Sequence, residues 1–174
     1  ALFGGCSRSS QAPPPAPAPP LDNPAQVAAA ARSEQAQDHL AKALALLEDG
    51  VARFPADTVL AMERAKLLVL LDRTEEALSA LSAMPQDDAA VLDLRGYVEL
   101  LFDDVAAARE HLTRAVALAG ESGGHPAGGL AQYHLGLLLV RTGGLPQALE
   151  SFRAAFRRDP RLLEAAYQAM GAAE

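Results

Sequence analysis

One set of spacings constrains this chain more than anything else in it. Gly136, Gly96, Ala65 and Ala31 are small residues inside apolar stretches. Each is followed by an alanine, at Ala148, Ala108, Ala77 and Ala43. A large apolar residue comes one turn later, at Phe152, Leu112, Leu81 and Leu47. A fourth column holds Ala155, Ala115, Met84 and Gly50. From the N-terminal end every column advances by 34, 31 and 40 residues. A small residue on one helix facing a large one on the next is what two closely crossing helices require, and a common step in four columns makes that pair a repeated unit. A chain built this way stacks its units instead of closing one globular core.

The two irregular steps have local causes. Pro85 shortens a second helix, because proline cannot continue an α-helix. Residues Glu121–Gly129 (ESGGHPAGG) form an inserted loop, since glycine and proline clusters punctuate helices. The first unit is the least regular, with Gly50 in a column where alanine is usual and no aromatic in its first helix.

The segment Gly129–Pro160 carries an aromatic–x–Leu–Gly run, a Gly-Gly turn, Ala–Leu–x–x–Phe–x–x–Ala and then Asp-Pro. That order, with a step near 34 residues, resembles the tetratricopeptide repeat (TPR). The resemblance implies an all-α solenoid of antiparallel helix pairs: about four repeats, at residues 24–57, 58–88, 89–120 and 129–162, with a capping or partial C-terminal helix over 163–174. It also implies a protein-binding role, because such a stack has a groove for other chains and not a pocket for chemistry.

Composition points the same way. Half of the 174 residues are apolar, mostly alanine and leucine, while aromatics make up 5% and tryptophan is absent. Alanine and leucine are strong helix formers. The apolar runs Leu67–Leu71 and Leu137–Val140 are far shorter than the roughly 20 residues needed to span a bilayer. A net charge of −7 leaves no basic footprint for nucleic acid.

The first 24 residues are different in kind. They hold seven of the 12 prolines, most of them in PPPAPAPP at Pro13–Pro20, a composition that favours an extended, semi-rigid spacer. Cys6, the only cysteine, follows Leu2-Phe3-Gly4-Gly5 and precedes Ser7. That run resembles a bacterial lipoprotein processing site, although Phe3 stands where leucine is usual and Gly4 where alanine or serine is commoner. The resemblance implies that residues 1–5 end a signal peptide, that Cys6 is lipidated, and that residues 6–23 tether a folded domain to a membrane. It further implies an outer-membrane lipoprotein facing the periplasm, since Ser7 replaces the aspartate that retains relatives elsewhere. The plainer alternatives are a free thiol in an arm, and a Pro-rich linker or ligand for another domain.

Catalytic constellations are not evident. None of His39, His111, His125 and His134 forms a metal-ligand pair at helical spacing, so no metal or cofactor is expected. His39 and His111 are expected at the surface, His125 in the Gly-rich insertion, and His134 against a neighbouring repeat. The pairs Glu75-Glu76, Asp87-Asp88 and Asp103-Asp104 fall at turns or in first helical turns, where negative charge complements the helix dipole.

The groove remains. The first helix of each pair lines the concave face of such a stack, and periodicity offers Met62, Lys66 and Leu70 from the second repeat. The third contributes Asp93, Tyr97 and Leu101, and the fourth Tyr133, Leu137 and Arg141. Val69, Leu100 and Val140 sit beside them, and any of these apolar residues could equally belong to the core. Tyr97 and Tyr133 are the preferred binding residues, because tyrosine joins apolar area to a hydrogen-bonding tip. The expectation is a non-enzymatic scaffold of the cell envelope, with assembly of a pilus or secretin-type complex as the nearest analogy. The alternative is a non-catalytic TPR domain of a larger envelope enzyme or regulator.

Overall fold

The computed structural model describes residues 21–121 and 127–163. Eight helices are bounded within them: α1 (Pro24–Ala36), α2 (Leu40–Arg53), α3 (Thr58–Leu70), α4 (Thr74–Ser82), α5 (Ala89–Leu101), α6 (Val105–Glu121), α7 (Ala127–Arg141) and α8 (Leu145–Arg158). A further helical turn covers Arg161 to Leu163, the last of the described residues. Every regular element among the described residues is a helix. Cys6, His125 and the segment 164–174 lie outside the described residues.

Local chemistry sets the helix starts. Asn23 caps α1 through the Gln26 amide, with Pro24 in the first turn. Asp57 caps α3 through the Leu60 amide. Asp88 accepts from the Ala90 and Val91 amides at the start of α5, and Asp104 accepts from the Ala107 amide in the first turn of α6. Each of these side chains satisfies amides that the first helical turn leaves without carbonyl partners.

The turn inside each pair is built the same way four times. Asp38, Asp72, Asp103 and Gly143 have φ values of 61°, 59°, 67° and 81°. The amide after each one reaches back to a carbonyl five residues earlier: His39 to Glu34, Arg73 to Leu68, Asp104 to Glu99 and Gly144 to Leu139. This closure ends a helix with one left-handed residue. Only Gly143 adopts it free of steric cost. Aspartate is among the few other residues that tolerate it, through local polar contacts.

Packing follows the small and large columns. A Cβ added at Gly136 would lie 2.5 Å from the Phe152 ring, and one at Gly96 would lie 2.7 Å from Leu112. Ala31, Ala65, Ala77, Ala108 and Ala115 are buried, as are Leu47, Leu81 and Leu112. Gly50 also has its reason: a Cβ there would sit 2.7 Å from Val27, so glycine lets α2 close on α1. Neighbouring first helices touch one another along α1, α3, α5 and α7, whereas among the described residues no two second helices do. The first helices therefore line the inner side of the stack.

One expectation holds and one needs adjustment. Pro85 follows a nine-residue α4, as its chemistry requires. The inserted loop is narrower than Glu121–Gly129, because α6 continues through Glu121 and α7 starts at Ala127. Gly128 and Gly129 are helical and buried. A side chain at Gly128 would meet Arg158 at 2.8 Å and Ala119 at 3.2 Å, so this glycine permits a close approach of helices instead of breaking one.

Candidate functional site: the inner face and its turn edge

The expected binding residues separate into two groups. Asp93 does not line a groove: it is 3% exposed, and its Oδ1 lies 2.7 Å from Nδ1 of His134, itself 8% exposed. The pair joins α5 of the third repeat to α7 of the fourth. Tyr97 stacks flat on the same imidazole, with ring centroids 4.2 Å apart. Tyr133 meets it edge-on at 5.9 Å and continues into Phe152 at 5.6 Å. Both tyrosines are half-buried. The Tyr97 ring binds the third repeat to the fourth, the Tyr133 ring packs within the fourth, and what both show to solvent is the remainder.

Arg141 is likewise engaged. Its Nη1 donates to the Leu100 carbonyl at 3.1 Å and its Nη2 to Asp103 at 2.8 Å, so it straps the end of α7 to the turn between α5 and α6. Leu137 is half-buried against the cluster of Leu100, Ala108, Leu112 and Leu138. Met62 packs beside Ala65, Leu81, Leu94 and Val98. Lys66 is exposed and lies 3.4 Å from Glu63.

His111, expected at the surface, is half-buried with Nδ1 2.6 Å from Glu99. Glu99 is buried and also accepts from Arg95 at 3.0 Å, and Arg95 donates to Gln86 at 2.8 Å. A buried carboxylate needs such partners to offset its lost hydration. His39 is exposed, 2.8 Å from Glu34. The hydrogen bond from His39 holds the Glu34 carboxyl below its ordinary range against the opposing effect of burial, and the charge of Lys42 adds a smaller lowering. Among the described residues no group of three or more His, Cys, Asp or Glu side chains could hold a metal ion. No helix among them is long and apolar enough to cross a membrane.

The second group sits where the first helices end. Leu70 is 64% exposed, Leu101 51% and Val140 47%. Phe102, which sequence reasoning passed over, is 53% exposed. Its signal was a large apolar residue directly before Asp103-Asp104, at the position held by Gln37 and Thr142 in the outer repeats. Beside it, Arg73 donates twice to Glu76, at 2.6 and 2.7 Å. That two-pronged bond lowers the Glu76 carboxyl below its usual range and raises the Arg73 guanidinium.

Known structures share this architecture. A thermophilic TPR protein of Thermus thermophilus superimposes with a TM-score of 0.71 at 24% identity, over 87% of this chain and 81% of that one. The chain has the fold of tetratricopeptide-repeat proteins. MamA from Desulfovibrio magneticus RS-1 matches with a TM-score of 0.60 at 18% identity, over 80% of this chain and 77% of the other. YrrB, described as a TPR protein with an unusual peptide-binding site, matches with a TM-score of 0.55 at 20% identity, over 79% and 70%. At the level of sequence, neither a family model nor a curated protein matches. The TPR likeness is one of backbone arrangement, carried by side chains at spaced positions.

Proposed function

We propose that this chain is a non-enzymatic protein-binding scaffold that holds a segment of another protein on the inner face of its helix stack. The observation that supports it best is the inner face itself. Four first helices lie side by side, and the buried Asp93–His134 pair fixes α5 against α7, so Tyr97 and Tyr133 keep constant relative positions. A preset surface spares a partner part of the ordering cost of binding. The peptide-binding site attributed to YrrB adds an analogy at the level of fold.

The finer reading places the scaffold in a bacterial cell envelope, tethered through a lipid on Cys6, where it assists assembly of a pilus or secretin-type complex. The Leu2–Ser7 run and the Pro-rich segment support the tether; the complex rests on likeness of architecture alone. The competing reading is a non-catalytic domain of a larger envelope enzyme or regulator. In cells making the protein with a complete signal sequence, Cys6→Ala should move it out of the membrane fraction and abolish the lipid mass increment. Membrane retention by that variant would reject the tether.

The binding reading is tested by affinity capture from envelope extract. Wild type is compared with Tyr97→Ala/Tyr133→Ala and with Lys66→Glu, each first shown by circular dichroism to be folded. Truncating an interface tyrosine that anchors a partner costs on the order of 2 kcal/mol of affinity. Recovery of the same partners at the same level by both variants would reject the inner face.

A further inference from the structure

The four left-handed turn residues lie on one edge of the stack. Antiparallel pairing brings the C-terminal ends of all first helices to that side. The chain enters from the other, where the Leu21 carbonyl is held by Arg53 near the end of α2. On the turn edge Leu70 and Leu101 end successive first helices, Phe102 follows Leu101, and Val140 lies one residue before the end of α7. Single exposed apolar residues are ordinary on protein surfaces. Leu70 and Leu101 hold equivalent positions of adjoining repeats, and with Phe102 beside Leu101 they are not a scatter of single residues.

The repeats along this row are in contact. Phe102 shares a pocket of about 340 Å³ with Asp72, Arg73, Thr74, Glu75 and Glu76 of the preceding turn. Arg141 ties the end of α7 to Asp103. The charges beside the row do not balance. Arg73 is taken by Glu76 and Arg141 by Asp103. Among the described residues no cation pairs with Asp72, Glu75 or Asp104, all of which are exposed. The edge is thus an apolar row bordered by three uncompensated carboxylates.

We propose that this edge docks a basic amphipathic helix of a partner protein. Its apolar side chains would rest on Leu70, Leu101 and Phe102, and its lysines and arginines would face Asp72, Glu75 and Asp104. The spacing fits such a ligand. Packed helices lie about 8–10 Å apart, and two helical turns of a ligand advance about 10 Å. Residues seven apart on one face of the ligand therefore meet successive repeats. The inference rests on the protein-binding reading above, and it specifies the partner's charge and secondary structure.

The test uses the full chain and two fluorescein-labelled amphipathic peptides of the same pattern, one of leucine and lysine and one of leucine and glutamate, with binding followed by fluorescence anisotropy. The lysine peptide should bind, more weakly as salt is raised, and the glutamate peptide should not. Leu101→Ala/Phe102→Ala should weaken binding roughly tenfold or more, as loss of a central apolar anchor does. Asp72→Asn/Glu75→Gln should weaken it and flatten its salt dependence. Tyr97→Ala/Tyr133→Ala should leave it unchanged. Equal binding of both peptides, or wild-type affinity in both edge variants, overturns the proposal. Loss of binding in the tyrosine variant alone assigns the peptide to the inner face: the edge falls and the scaffold reading stands. Failure of the lysine peptide to bind, while affinity capture still yields an inner-face partner, separates the two in the same way. Self-association in sedimentation that disappears in Leu101→Ala/Phe102→Ala, or binding of neutral phosphatidylcholine vesicles that does so, would replace the basic helix with a second copy or a lipid surface.

Discussion

The junction between the second and third repeats and the junction between the third and fourth solve one packing problem with different materials. The earlier one is filled by Ala65, Leu81, Leu94 and Val98, with Met62 and Met84 at its margin. Its polar relay runs through the connecting loop, where Gln86 donates to the Leu81 and Met84 carbonyls and accepts from Arg95. The later junction has a buried histidine–carboxylate pair, a stacked tyrosine and the Arg141 strap. Apolar packing is tolerant of small sliding, because it is non-directional. A 2.7 Å bond between two buried polar groups is not, since any slip leaves both without partners. The later junction is therefore held in register, and the earlier one is only held together. The short α4 before Pro85 widens the contrast by giving the earlier junction less helix to grip.

Asp93→Ala should produce the largest effect, because removing one partner of a buried pair typically costs about 3–5 kcal/mol. Asp93→Leu with His134→Phe should recover most of that loss, since apolar replacements of a buried pair are often neutral. Urea unfolding gives both values. If the double variant is no better than Asp93→Ala, the pair contributes stability as well as register. Leu81→Ala tests the other junction and should cost about 2–5 kcal/mol through the cavity it opens. In a stack whose units contact only their neighbours, weakening one junction uncouples its two sides. Two unfolding steps are therefore expected from Leu81→Ala, and a single sharp transition would show that the earlier junction is not the weak link.

The crossing of the two helices in each pair was legible in the sequence, because its chemistry is local. Gly136 and Phe152 are 16 positions apart, and their columns recur in every repeat. Gly136→Leu should accordingly cost about 1–3 kcal/mol by overpacking the ring 2.5 Å away. Arg157→Leu on the exposed face of α8 should stay within about 0.5 kcal/mol. Equal urea midpoints for these two variants would overturn the repeat register. The junctions were much less legible. Asp93 and His134 lie 41 positions apart across an irregular insertion, and helical periodicity alone placed both on a first helix without bringing them together. The turn column was present in the numbering, since Asp38, Asp72, Asp103 and Gly143 keep the repeat steps. Aspartate there looks like a cap for the next helix as readily as a left-handed closure of the last. Gly128-Gly129 misled for the opposite reason: glycine marks loops and close helix approaches alike, and only the position of Arg158 and Ala119 decides.

The smallest effect expected comes from setting an exposed histidine–carboxylate pair against the buried one. Glu34 accepts from His39 at 2.8 Å and lies 3.5 Å from Lys42, in the open first turn of the stack. These partners lower its carboxyl below the ordinary value, mainly through the His39 hydrogen bond. A group whose pKa is depressed by folding stabilises the fold above its unfolded pKa, and that contribution is lost as pH falls through the folded one. Glu34→Gln should therefore lower the melting temperature slightly at neutral pH, and the difference from wild type should shrink to nothing in acid. Exposure and salt screening keep the effect small. Added salt should reduce it further, whereas the loss caused by Asp93→Ala should change little with salt, because that pair is shielded from solvent. Thermal melts of both variants across pH and salt supply the comparison. If Glu34→Gln and Asp93→Ala respond to salt alike, burial is not what separates the turn from the junction.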